Sequence, residues 1–70
     1  MIYGKCITNL DGFKFAKFPT QFLAVPRIGE KVQDYEGRCL NVVQITYAFG
    51  KTDVYPEEQT RPYIIIELNK

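Results

Sequence analysis

The stretch RCLNVVQITYAF, residues 38–49, decides the fold. It is dense in β-branched and aromatic residues, which suit a pleated, half-buried surface better than a helix. Val43, Ile45, Tyr47 and Phe49 share one parity, whereas Leu40 and Val42 fall on the other. Successive strand residues point to opposite faces, so an unbroken strand would bury one set and expose the other. A bulge near Val42-Val43 inserts one extra residue and turns both sets inward. A long strand in a small barrel has to bend, which makes such a bulge the expected solution.

Working outward, Tyr35-Glu36-Gly37 reads as a turn with glycine at its tight position. Before it, residues 31–34 form a short strand, and residues 22–25 form an apolar run closed by Pro26. These two pieces are taken together as one interrupted strand. Asp11-Gly12 is a strong hairpin signal, because both turn positions tolerate positive φ. Residues 2–10 and 13–18 are therefore expected to pair as a hairpin, ending at Pro19. Residues 50–62 form a polar loop containing Pro56, Glu57-Glu58 and Pro62, and residues 63–69 make the last strand. Val43, Ile45, Phe49, Ile64 and Ile66 are the expected core. The sum is one all-β domain over residues 1–70, small, five-stranded and strongly bent.

Val25-Pro26-Arg27-Ile28-Gly29-Glu30-Lys31-Val32, then Gly37, then Val42-Val43-Gln44-Ile45, resembles small SH3-like β-barrel proteins of bacteria and their phages. In that family a proline-glycine-acidic stretch enters a short strand, and a glycine turn leads into a long bent one. The resemblance covers about a third of the chain and implies an SH3-like barrel. It is structural punctuation rather than active-site chemistry, and a fold of this kind does not by itself carry a function.

Composition excludes more than it identifies. Nine basic against eight acidic side chains leave a net charge of +1, too little for affinity built on counterion release from nucleic acid. With no histidine there is no imidazole base, and the chain holds no serine. The acidic pairs Glu57-Glu58 and Asp34/Glu36 read as solvated charge. No catalytic residue, cofactor or metal site is expected, and the protein is read as a non-enzyme. Cys6 and Cys39 have no histidine or third cysteine to complete a zinc site. Both are expected to be reduced, unbridged and buried. Residues 1–10 carry no long apolar run, and no stretch reaches the roughly 20 apolar residues of a membrane helix. A cytoplasmic protein without membrane contact is the expectation.

Two binding readings remain. Aromatic residues make up 14% of the chain, more than a thin five-stranded core is expected to enclose. Phe18 and Phe22 flank Pro19 in a segment that cannot pair fully, and Tyr55 and Arg61 sit in the long loop as residue types that anchor interfaces. They are the candidate partner-binding residues of a non-catalytic protein-interaction module. Its partner is a protein of unknown identity, or a second copy in a weak homodimer. A phage- or mobile-element-encoded modulator of a host protein would have these traits. The alternative is a weak single-stranded nucleic-acid binder using Phe13, Lys14, Phe15 and Lys17, where rings alternate with lysines. The first 29 residues are weakly basic, but the remainder carries five basic against seven acidic residues, so nucleic acid is the disfavoured partner.

Overall fold

The computed structural model describes residues 1–51, 54 and 60–70. Five strands form one strongly curled half-barrel sheet: β1 (Ile2–Thr8), β2 (Gln21–Phe22), β3 (Lys31–Gln33), β4 (Cys39–Gly50) and β5 (Arg61–Asn69). The spatial order is β2-β1-β5-β4-β3. β1 and β5 run parallel, and the other neighbours are antiparallel. The only helical piece among the described residues is a 3-10 turn, Asp11–Phe13. The all-β, five-stranded, bent architecture is as the sequence indicates.

β5 is the spine. It pairs with β1 on one edge and β4 on the other, and its alternate residues Ile64, Ile66 and Leu68 are each at most 2% exposed. They pack with Val32, Leu40 and Val42 to form the buried core. The register shift lies between Val42 and Gln44, leaving Val43 as the extra residue. Before it, Leu40 and Val42 face inward. After it, Ile45 lies opposite Ile66 and Tyr47 opposite Ile64, so odd-numbered residues take over the inner face. One inserted residue thus reconciles two apolar sets that a regular strand would separate.

Four expectations are corrected. Residues 13–18 form no strand: the chain turns at Asp11–Phe13, and the rings of Phe13 and Phe18 stack 6.3 Å apart beside the core. β2 covers the second edge of β1 only at Ile2 and Tyr3, so the edge beside residues 5–8 is left unpaired among the described residues; instead of folding back along it, the chain is held at Gly12 and Phe13 by Arg38. The two short pieces expected to make one interrupted strand are instead separate strands at opposite ends of the sheet, where they border the open seam of the half-barrel. Finally, Val43 is 42% exposed and Phe49 72% exposed, so neither belongs to the core. Val43 is the bulged residue itself, and Phe49 lies near the end of β4, opposite Pro62 and beyond the packed layer. Ile64 and Ile66 are core, with Ile45 half-buried against them. Cys6 is half-buried, but Cys39 is exposed, which corrects the expectation that both thiols are enclosed.

Gly4 shows how closely β1 approaches the core. A Cβ there would lie 2.8 Å from Ile64 Cγ1, 3.1 Å from Phe22 Cε2 and 3.2 Å from Ile66 Cδ1. Gly4→Ala is therefore expected to destabilise the domain by about 1–3 kcal/mol through overpacking. Gly12→Ala, where nothing lies within 4 Å, is the near-neutral control. Ile66→Ala, at a site with no exposure, should cost about 2–5 kcal/mol in urea denaturation.

Candidate interaction surface

The long strand is half committed to the core and half open. Over residues 39–41 it is flanked by β3, and at Val42 its backbone is met by Gly29 and Glu30: Gly29 N–H donates to Val42 O at 2.9 Å and Val42 N–H to Glu30 O at 2.8 Å. Beyond that point, among the described residues, residues 43–50 pair with β5 alone. Among the described residues their other edge has no neighbouring strand. The stretch reads VQITYAFG, with no charge and no proline. Tyr47 is 76% exposed although it faces the same side as the buried Ile64, because the packed layer stops short of it.

This edge adjoins a cleft of about 460 Å³ at the mouth of the half-barrel, lined by Met1, Ile2, Val25, Tyr47, Pro62 and Ile64, with Arg61 and Tyr63 at its border. A second groove of about 670 Å³ follows the seam between β2 and β3, where Phe22 and Val25 face Lys31 and Gln33. Val25 lines both.

The candidate partner-binding residues divide accordingly. Arg61 is exposed and borders the cleft beside Tyr47. Phe22 lines the seam groove but is half-buried and packs on Gly4. Phe18 is half-buried, stacked on Phe13 and packed against the core, so it offers less surface than expected. Tyr55 lies outside the described residues. Tyr47 and the open edge around it escaped the sequence reading, which placed Phe49 in the core. The available signal was the absence of any charge from residue 39 to residue 50.

The nucleic-acid candidates are held by a different device. Asp34, whose side chain is fully buried, closes the β3–β4 turn: its Oδ1 accepts the N–H groups of Glu36 at 3.0 Å and Arg38 at 2.8 Å, and its Oδ2 accepts Arg38 Nε–H at 2.9 Å. Gly37 takes φ +87° within the turn, a conformation that favours glycine. Arg38 also donates to Gly12 O at 2.8 Å and lies over the Phe13 ring, 4.3 Å from its centroid. The guanidinium therefore pins residues 11–13 to the end of the sheet and covers one face of Phe13. Phe15 is 89% exposed with Lys14 Nζ 5.7 Å from its centroid, and Lys17 is exposed. Only one open ring remains of the two expected to act together.

Burial pushes the Cys6 thiol up to about 11, which keeps it protonated at neutral pH and poorly nucleophilic. Its Sγ is 3.8 Å from Pro19 O. Among the described residues no three His, Cys, Asp or Glu side chains gather where they could hold a metal ion. No helix of these residues is long and apolar enough to cross a membrane. Comparison with protein-family models, curated proteins and solved structures gives no match to this chain.

The Asp34 network makes stability pH-dependent. Burial alone raises the carboxyl, but the hydrogen bonds and charge of Arg38, with the Glu36 N–H, outweigh it and hold Asp34 below its ordinary value of 3.8. Folding then favours the ionised form, so this contribution is complete above the unfolded value and is lost as pH falls from about 3.8 through the folded one. Urea midpoints should drop across that acidic window in the wild type. Asp34→Asn should be less stable at neutral pH and show a shallower acid dependence; an unchanged acid profile in the variant would remove Asp34 from this role.

Proposed function

We propose that this domain is a non-catalytic protein-interaction module that takes an extended partner strand along the open edge of β4. One observation carries the reading: residues 43–50 present an uncharged, proline-free edge with no strand beside it among the described residues, next to an apolar cleft. Strand addition draws affinity from main-chain hydrogen bonds and specificity from pockets that take alternate side chains. Here the backbone row would come from β4, and the cleft at Tyr47 and Val25 would take a side chain of the added strand. A module of this kind in the cytoplasm would modulate the host protein whose strand it takes.

The nucleic-acid reading is the weaker one. Sequence-tolerant strand binding needs several open rings along a basic groove. Phe15 is the single open ring in its segment, and Phe13 lies beneath Arg38.

Affinity purification from the native host, in parallel with wild type and Tyr47→Lys, tests the proposal. Tyr47 is mostly exposed, so the variant is expected to fold. The expected outcome is a protein retained by the wild type through a high-salt wash and lost with the variant. Apolar and main-chain contacts outlast salt, whereas screened charge contacts do not. Retention that disappears with salt and with nuclease treatment, and that Tyr47→Lys leaves unchanged, would overturn it.

A further inference from the structure

We infer that the strand taken by the β4 edge is the β4 of a second copy, so that two chains join antiparallel into one continuous sheet. This rests on the module reading above: the second copy holds the same edge that a host strand takes, so the two compete for it. Folded proteins protect exposed edges with lysine, proline, a bulge or short length. Along β4 such devices stand only at the two limits, the bulge at Val43 and Lys51 just past the strand. Among the described residues no other such device lies between them.

The edge is also complementary to itself. A two-fold axis normal to the sheet pairs a strand with its own copy in antiparallel register and makes the contact isologous. Residues facing one another across such a pair share a face, so the axis has to pass through a residue rather than between two. Centred on Thr46, the register sets residues 43–49 of both copies together, with Ile45 opposite Tyr47 and Val43 opposite Phe49. Centred on Tyr47, it sets residues 44–50 together, with Tyr47 opposite Tyr47 and Ile45 opposite Phe49. Either arrangement brings aromatic and β-branched side chains together on the inner face, the favourable cross-strand combinations. The outer face receives Gln44, Thr46 and Ala48, which are polar or small. No like charges meet, because residues 43–50 contain none, and a net charge of +1 per chain opposes association little.

The exposed area sets the strength. Tyr47 and Phe49, at 76% and 72% exposed, are the main apolar surface to be covered. Rings of this kind bury about 150–250 Å² each, so two fall short of the roughly 800 Å² per partner of a standard stable interface. The dimer is accordingly weak and concentration-dependent.

Sedimentation equilibrium of the whole chain, from micromolar to about millimolar, where dissociation corresponds to ~4 kcal/mol, is the test. Wild type should pass from monomer to dimer within that range. Thr46→Lys and Thr46→Glu, at an exposed position, should each remain monomeric, because like charges then meet near the axis. Mixing the two variants should restore a dimer containing one of each. A wild type that stays monomeric throughout overturns the inference, as do single variants that dimerise like the wild type. Residue-resolved hydrogen exchange of wild type adds a reading that does not depend on any variant. Alternate amides of residues 44–49 should slow as concentration rises, and concentration-independent exchange would also overturn it. A monomeric wild type whose Tyr47→Lys variant still loses a host protein would remove the second copy and leave the module reading intact.

Discussion

The extra residue at Val43 is the constraint on which the rest of the structure depends. With the bulge, β4 delivers Leu40 and Val42 to the core before it and Ile45 after it, and β5 can pair with it from Asn41 to Gly50. Without it, one of these sets would be turned to solvent, in a domain whose core has little to spare. The bulge also divides the strand by task. Upstream, β3 and the Gly29-Glu30 backbone cover the second edge, and downstream no described strand lies beside it. Core and candidate surface are thus two halves of one strand.

Asp34 and Arg38 hold the upstream half in place. The buried carboxylate organises the turn that feeds β4, and the guanidinium carries that order to Gly12 and Phe13 some 26 residues away in sequence. Buried ion pairs are costly unless their remaining hydrogen-bonding capacity is filled. Here Asp34 accepts three hydrogen bonds and Arg38 donates to both a carboxylate and a carbonyl. The turn, the 3-10 segment and the start of β4 therefore form one body, from which the open half of the strand extends.

Much of the fold was legible in the sequence, and the failures share a physical origin. The parity switch in residues 38–49 revealed the bulge, and the alternation in residues 63–69 revealed the β5 spine with Ile64 and Ile66 inside. Asp11-Gly12 misled because turn chemistry is local, whereas the path after a turn is set by distant contacts. Here a 3-10 turn spans Asp11–Phe13, and Arg38 holds Gly12 and Phe13 at the end of the sheet. Phe49 misled for a related reason: periodicity tells which face a side chain occupies but not how far the opposing layer reaches. Tyr47 and Phe49 are on the inner face and still lie in solvent. The buried role of Asp34 was equally invisible, since a turn aspartate ordinarily points to water.

The central claim is that β4 is two strands in one, sealed before Val43 and open after it. Residue-resolved amide hydrogen exchange on dilute protein reads this directly, because exchange reports local opening and unpaired amides independently of global stability. The expected result is uniform protection across residues 40–42. From residue 44 to residue 50, protected amides facing β5 should alternate with rapidly exchanging amides facing outward. Uniform protection along the whole of β4 in dilute solution would contradict it, since the outer edge would then already be covered within a single chain.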